Sequence, residues 1–456
     1  MRFRRSAGRG SVGAGVLWRL TPGRAIVLAF GGVLAMGTGL LSLPVSTQGR
    51  GATFIEALFT ATSALCVTGH IIVDTATFWS PFGQVVIMVL IQIGGLGVMS
   101  LATLLGLLVA RRLGLRTRLT AVSETHTVAV GDVRRVLLGV ATITVIAEVV
   151  VAILLAGRFG LGYGEPLGRA LWLGAFHAVS SFNNAGFALF SDNLMSFATD
   201  PWICLPICAA IILGGLGFPV IMELRRRIRF PRRWTLNTVT VVTGTIVLLV
   251  AGAVALTALE WSNPATLGPM DPAGRVLAGF TMSVMPRTAG FNSIDVSQMH
   301  GASWYVTDIL MFIGGGPAGT AGGLKITTFA VLLFIIVAEL RGDTAVNMFG
   351  KRLPRSTHRE ALTVALLSLA LVVGSTLAIM VMSPFGLDRV LFEVISAFAT
   401  VGLSTGITAD LPAVAQLILI VLMFIGRLGP VLLGTALALT REKRMYELPK
   451  ERPIIG

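Results

Sequence analysis

The sequence predicts an all-α membrane protein built from four repeats of helix, short pore-type segment and helix, eight spans in all. Three observations lead there: the scarcity of charge, the clustering of the basic residues, and a fourfold recurrence of glycines. Of 456 residues, 54% are apolar and only 13% are charged, with a mean hydropathy of +0.83. A soluble domain carries about 25% charged residues. Disordered chains and ordinary soluble enzymes are excluded on that ground. Three cysteines, Cys66, Cys204 and Cys208, cannot build a disulfide framework, and five scattered histidines offer no transition-metal spacing.

The net charge of +14 is unevenly distributed. Of the 36 Lys and Arg residues, 28 lie within 1–24, 111–135, 225–233, 341–359 and 441–452. Long apolar blocks separate these clusters, so the positive-inside rule puts all five on the cytoplasmic side. Each block must then leave and return, which requires an even number of spans. Four blocks make eight spans with both termini cytoplasmic. Nucleic-acid binding is not needed to explain the basic excess. The first apolar run has no small-residue cleavage site soon after it and reads as a retained span.

The segments therefore divide as follows. Residues 1–23 are a cytoplasmic segment and 24–110 the first repeat. A cytoplasmic loop over 111–135 leads to the second repeat, 136–224. A loop over 225–237 precedes the third repeat, 238–340, and a loop over 341–360 precedes the fourth, 361–440. The tail is 441–456. Each repeat opens with a span of about 20 residues, enough to cross a ~30 Å core: 24–43, 136–157, 238–259 and 361–383. A shorter apolar segment follows in each, at 53–65, 168–182, 274–285 and 389–399. These are too short to span and read as re-entrant half-helices. Closing spans are expected at 82–110, 202–224, 303–340 and 413–440.

Between half-helix and closing span stands a triplet ending in glycine: Val67-Thr68-Gly69, Asn184-Ala185-Gly186, Thr288-Ala289-Gly290 and Thr400-Val401-Gly402. The closing spans carry a second glycine cluster, starting at Gly94, Gly214, Gly314 and Gly426, which lie 25, 28, 24 and 24 residues further on. Such clusters by themselves suit helix packing. Fourfold register with four re-entrant segments argues for function.

A half-helix ending inside the membrane must satisfy its last carbonyls, and irregular backbone is tolerated there only beside water or protein. Its C-terminus carries partial negative charge. Four such ends around one axis make a cation site, in which an extended strand can offer carbonyl oxygens in place of hydration water. The triplets are therefore the candidate site, with K+ held by backbone carbonyls once the ion's identity is granted. Twelve acids are placed at or near the outer face: Glu56, Asp74, Glu165, Asp192, Asp200, Glu260, Asp271, Asp295, Asp308, Asp388, Glu393 and Asp410. Against them stand Arg50, Arg158, Arg169, Arg275 and Arg389. A negative mouth concentrates cations, although solvated loops alone would also look this way.

Three basic residues remain within the membrane blocks: Arg287, Lys325 and Arg427. Ionisable groups at such depth are costly and usually functional. Arg427 takes the second glycine's place in the fourth cluster. It reads as a barrier or gate, or else as an ion-paired or snorkelling structural arginine. In the third repeat the run Gly314, Gly315, Gly316, Pro317, Ala318, Gly319, Thr320, Ala321, Gly322, Gly323, Leu324, Lys325 cannot form a regular helix. A mid-membrane loop is expected, able to block the axis and to move, with a kinked packing helix as the alternative. Lys325 belongs to this gate or to a contact of its closed state. His177 reads as a satisfied structural histidine. Glu148 reads as paired, near an end, or least plausibly as a coupling-ion ligand.

The segment Phe59–Gly69, the run Ile91–Gly97, the motifs Asn184-Ala185-Gly186-Phe187 and Thr288-Ala289-Gly290-Phe291, and the Gly314–Lys325 loop together resemble the Trk/Ktr/HKT superfamily of potassium transporters. The resemblance runs from about Arg24 to Arg441. It implies four pseudo-symmetric repeats around one central pore, with filter glycines at Gly69, Gly186, Gly290 and Gly402, a gating loop at Gly314–Lys325 and a pore arginine at Arg427. Glycine at all four filter positions implies potassium rather than sodium. The short N-terminal segment makes the chain similar to the KtrB-type membrane subunits. That implies a homodimer in the plasma membrane, contact with membrane lipid, a cytosolic KtrA-type nucleotide-binding regulatory ring, and uptake of K+ stimulated by Na+, with no covalent cofactor, no covalent chemistry and no nucleic-acid partner. An alternating-access carrier and a membrane receptor or scaffold are the competing readings; both termini on one side favour the pore.

Overall fold

The computed structural model describes residues 22–112 and 130–429. The expectations for the N-terminal segment before Pro22, for most of the loop over 111–135, for residues 430–440 and for the tail lie outside the described residues. The described chain is mostly helical. Helix α1 spans Pro22–Leu41, α2 Phe54–Leu65, the short α3 Thr75–Phe78 and α4 Pro81–Arg112. Helix α5 spans Val130–Tyr163, α6 Leu167–Phe182, α7 Pro201–Leu216 and α8 Phe218–Arg227. Next come α9 Leu236–Glu260, α10 Pro272–Val284, α11 Gly301–Phe312 and α12 Ile326–Arg341. A two-residue hairpin, β1 Asn347–Met348 and β2 Lys351–Arg352, leads to α13 Arg355–Met382, α14 Leu387–Ala399 and α15 Ala413–Leu428.

The reasons for these boundaries are local. Helix α2 starts at a capping box, in which Thr53 Oγ1 accepts from Glu56 N and Glu56 accepts from Thr53 N at 2.8 Å. Helix α10 starts on Asp271, which caps Gly274 N, with Pro272 in the first turn where its missing N–H costs nothing. Helix α5 begins six residues ahead of its expected span.

By length and composition, three described stretches can cross a membrane unaided: Leu137–Tyr163, Leu236–Glu260 and Arg355–Met382. The pair α7 and α8, bent by 100°, makes a fourth only if the two are counted as one broken span. This bend corrects the expectation of one continuous span over 202–224. Gly217 breaks the helix with φ +88°, and Phe218 N donates to Ala318 O at 3.2 Å. The third repeat's loop thus takes up a backbone donor that a straight helix would have used itself.

The long helices turn apolar side chains outward. Val145, Ile146, Val149 and Ile153 on α5, Ile246, Val250 and Val254 on α9, and Leu366, Leu369, Val373 and Leu377 on α13 are all exposed. Spacings of three and four put each set on one face, as a lipid-facing helix requires. The polar groups point inward: Thr60, Thr62, Ser63, Ser180, Ser181, Thr281, Ser283 and Ser396 are buried. Each half-helix packs against the long helix before it, α2 on α1, α6 on α5, α10 on α9 and α14 on α13. Contacts of α15 with α2 bring the first and fourth repeats together.

Candidate functional site

The half-helices end alike. In the first, Val67 N donates to Ala64 O at 3.1 Å and Thr68 N to Ser63 O at 2.8 Å. In the second, Asn184 N donates to Ser181 O at 3.0 Å and Ala185 N to Ser180 O at 2.7 Å. In the fourth, Thr400 N donates to Ala397 O at 3.2 Å and Val401 N to Ser396 O at 2.8 Å. This pair of bonds is the Schellman motif, which puts the residue after the cap in the left-handed region. Accordingly Val67, Asn184 and Thr400 have φ of 56°, 60° and 51°. The third half-helix ends differently, with Ala289 N and Gly290 N both on Met285 O, yet Thr288 still has φ 65°.

Two residues later the left-handed conformation returns at Gly69, Gly186, Gly290 and Gly402, with φ of 86°, 72°, 71° and 93°. These positions need glycine for a second reason. A Cβ at Gly69 would strike Ala185 O, one at Gly186 would lie 2.7 Å from Ala289 O, one at Gly290 would strike Val401 O, and one at Gly402 would strike Thr68 O. Each glycine faces the middle carbonyl of the next triplet, and the fourth faces the first. The ring is closed. Among the described residues, no hydrogen-bond donor reaches Thr68 O, Ala185 O, Ala289 O or Val401 O. Buried carbonyls without donors are rare in proteins, and four in one ring form an oxygen-lined aperture suited to a desolvated cation.

Above the ring lies a cavity of about 340 Å³. The four glycines line it together with Asp74, Asp192, Asn193, Asn292 and Ser404, and among the described residues no Lys or Arg borders it. The broader expectation of twelve outer acids needs correction. Asp200, Glu260, Asp308 and Glu393 are buried. Asp200 pairs with Arg158 at 2.8 Å, Glu260 accepts from Thr266 and Asn263, and Glu393 accepts from several hydroxyls. Asp200, Glu260 and Glu393 hold the fold rather than face solvent, and Asp308 Oδ1 is buried with no hydrogen-bond partner among the described residues.

Below the ring the Gly314–Lys325 run forms a loop between α11 and α12. Gly314 N donates to Leu324 O at 2.8 Å, Gly316 N to Gly215 O at 2.8 Å and Thr320 N to Gly214 O at 3.1 Å. Thr320 Oγ1 donates to Asn184 Oδ1 at 3.0 Å. Arg427 donates to Thr320 O and, at 3.0 Å, to Gly94 O. Gly322 and Gly323 lie against Ala399 and Thr400. The loop thus touches the second and fourth repeats directly and the first through Arg427. Arg287 donates to Gly314 O at 3.3 Å, and Lys325 Nζ donates to Ala321 O. All three intramembrane cations therefore bond to backbone carbonyls, one at the loop's start and two at its middle.

The second glycine clusters have a packing reason. A Cβ at Gly94 would strike Leu65 O, one at Gly214 Phe182 O, and one at Gly426 Phe398 O. Each glycine lets a closing helix approach the end of its half-helix. In the third repeat Gly314 packs against Gly322 instead, because its chain has left the helix.

A model of the TrkH family, described as cation transport protein, matches residues 31–446. The chain belongs to the TrkH family. The Ktr system potassium uptake protein B of Bacillus subtilis (strain 168) is 38% identical over 94% of this chain and 95% of its own length. The Vibrio alginolyticus protein of the same name is 38% identical over 95% and 94%. The potassium/sodium uptake protein NtpJ of Enterococcus hirae is 37% identical over 96% and 98%. The structure of the potassium transporter TrkH from Vibrio parahaemolyticus superposes with a TM-score of 0.74 at 17% identity, covering 92% of this chain and 86% of that one, a likeness of fold. Family membership and the outward-facing apolar helices make this a multi-pass membrane protein.

Within this TrkH-family chain, sequence reasoning marked the triplets and the loop as candidates but missed two contacts. The Asn184 side chain bonds the loop and, at 3.3 Å, Arg287 O. His70 and Glu393 form a buried pair. Glu148 is bound to Asn183 at 3.0 Å and Gln92 at 3.3 Å, which selects the paired alternative for it. His177 is hydrogen-bonded through both ring nitrogens, to Leu173 O at 2.8 Å and Leu189 N at 3.3 Å.

Proposed function

We propose that the chain conducts potassium into the cell across the plasma membrane through the ring at Gly69, Gly186, Gly290 and Gly402. Eight spans in four repeats surround this pore, and both termini are cytoplasmic. The observation that carries the reading is the closed ring of four donor-free carbonyls, of Thr68, Ala185, Ala289 and Val401. An ion enters the vestibule, where Asp74 and Asp192 lower the local potential energy of a cation. It loses water to the carbonyl ring while four half-helix C-termini supply partial negative charge. The Gly314–Lys325 loop and Arg427 then stand in its way as a gate, and the loop must leave the axis for passage.

The relatives' names support potassium as cargo and, through the potassium/sodium uptake protein, a part for sodium, which in our reading is that of activator. The name "Ktr system" supports a multi-component assembly. In our reading this is a homodimer resting on a cytosolic KtrA-type nucleotide-binding ring. By the family resemblance, glycine at all four ring positions favours potassium, and a Cβ there would intrude on the ring's oxygens.

The test is Gly290→Ser in proteoliposomes, with initial uptake of K+ and Na+ measured separately. The reading expects the K+/Na+ ratio to fall. An unchanged ratio at normal protein incorporation removes the filter assignment. Measuring the same fluxes with and without Na+ and a nucleotide-loaded ring tests activation and regulation.

A further inference from the structure

Residue 70 directly follows the ring glycine Gly69. At the same register the other repeats place Phe187, Phe291 and Leu403, all buried and apolar. His70 alone is polar there, and it is fully buried. Its Nε2 lies 2.5 Å from Glu393 Oε2 on α14. The Glu393 carboxylate also accepts from Ser404 Oγ at 2.8 Å, Thr405 N at 2.8 Å, Thr405 Oγ1 at 3.0 Å and Thr408 Oγ1 at 2.8 Å. Donors converging on one carboxylate make it a pure acceptor, which assigns the proton of this contact to His70 Nε2.

Register explains half of this arrangement. Glu393 stands seven residues before Thr400, and His177 stands seven before Asn184. His177 Nε2 accepts from Leu189 N, and Glu393 accepts from Thr405 N, each five residues past the left-handed residue. Both side chains pin the strand that leaves the ring. Only Glu393 goes further and bonds a neighbouring repeat. It does so where the first and last repeats meet, the place at which Gly402 abuts Thr68 O and Gly69. Continuous chain of about 100 residues joins each of the other neighbouring triplets, whereas this seam joins the two ends of the repeat array.

We propose that the His70–Glu393 pair is a positioning strut that holds the first and fourth triplets at a fixed separation and thereby sets the preference for K+ over Na+. This rests on the reading of the glycine ring as the ion filter. Carbonyl spacing decides how well the oxygens replace an ion's water, and a ring free to contract accepts the smaller ion. The strut acts through the backbone of Gly69 and does not touch the ion.

Three variants in the full chain test it, His70→Gln, His70→Asn and His70→Phe, with Gly290→Ser alongside and K+/Na+ initial uptake ratios in proteoliposomes as readout. Gln presents an N–H near the position of Nε2 and is expected to keep the ratio within about twofold of the parent, whereas Asn and Phe lower it about tenfold, the scale of one charge-assisted hydrogen bond. Total K+ flux is expected to persist in all three. An unchanged ratio in His70→Asn and His70→Phe, with Gly290→Ser lowering it, overturns the strut and leaves the filter standing. An unchanged ratio in all four overturns both. A loss of flux without a change in ratio means support of the fold alone, and also overturns it. If the Phe variant does not insert, the Gln–Asn comparison decides, since both are polar amides.

Discussion

Arg427→Ala is the perturbation whose size can be worked most directly. The guanidinium makes two bonds to backbone carbonyls, Thr320 O in the loop and Gly94 O on α4. Gly94 anchors the arginine, and Thr320 is what the arginine holds. A hydrogen bond from a charged donor contributes roughly 1.5–3 kcal/mol in a buried site. Losing the Thr320 bond therefore lowers the ratio of seated to unseated loop by about 10- to 150-fold. The carbonyl left without a donor acts in the same direction. So does the lost charge: a unit cation passing about 6 Å away meets roughly 3 kcal/mol of repulsion at an effective dielectric of about 20. The assay is K+ flux into proteoliposomes without any activating partner, at matched protein incorporation. Basal flux is expected to rise at least about tenfold, the lower bound from the loop bond alone. Arg427→Lys should fall between, because an ammonium lacks the fork that reaches both carbonyls. If flux falls or stays level with normal incorporation, Arg427 is not a barrier and the loop is not held by it.

Other expectations follow from the ring, its mouth and its supports. Gly402→Ala puts a methyl against Thr68 O and 2.9 Å from Gly69 Cα at φ +93°, so K+ uptake should drop at least about tenfold; near-normal uptake would remove the close approach. Asp74→Asn with Asp192→Asn should slow uptake severalfold at about 10 mM salt and little at about 150 mM, and equal slowing at both would exclude steering by the vestibule. The Arg50 guanidinium, hydrogen-bonded to Glu56 at 2.9 Å, holds that carboxyl below its usual range. A depressed folded pKa contributes stability above the unfolded pKa and loses it as pH falls through the folded one. Glu56→Gln should thus cost about 0.5–1 kcal/mol at neutral pH, kept small by the exposure of Arg50, and less in acid; thermal unfolding with the same penalty at both pH values would contradict this. Cys66, Cys204 and Cys208 are buried, so a polar maleimide should label them only after denaturation.

The fold was legible where local chemistry decides it. The half-helices lie within about two residues of their expected ends because Thr53, Asp271 and the triplets mark them by capping and by length. The loop was legible because Gly314–Lys325 breaks helix formation on composition alone. What stayed hidden needed a partner from another repeat. Gly217 has the same Gly-x-x-Gly surroundings as Gly97, yet α4 runs on through Gly97 while α7 stops at Gly217, because only there does the third repeat's loop supply Ala318 O. Glu393 read as an outer acid from its place between apolar residues; His70 lies 323 positions away and no spacing links them. The second glycine clusters were read as function because they recur in register, but they recur because each closing helix must approach a half-helix end.

The position of the glycines within each triplet carries a physical lesson of its own. A Schellman cap usually spends its glycine on the residue after the cap, where left-handed φ strains a side chain. Here Val67, Asn184 and Thr400 occupy that place, and Thr288 the matching one in the third repeat. Three of the four are β-branched, the type least suited to it. The glycine comes two residues later, where a Cβ would meet the next repeat's carbonyl as well as an unfavourable φ. At the first place only local strain of about 1–3 kcal/mol opposes a side chain, and the two cap hydrogen bonds offset it. At the second, any side chain meets the backbone of the next repeat, and no local bond can compensate. A protein selected for helix stability alone would reverse this placement. Exchanging the two in one repeat, Val67→Gly with Gly69→Ala, should therefore leave the protein inserted but close the path, with K+ uptake reduced at least about tenfold. Val67→Gly by itself should keep uptake and change only stability. If the single change abolished uptake as fully as the exchange, the strained residue would be part of the aperture and not merely its support.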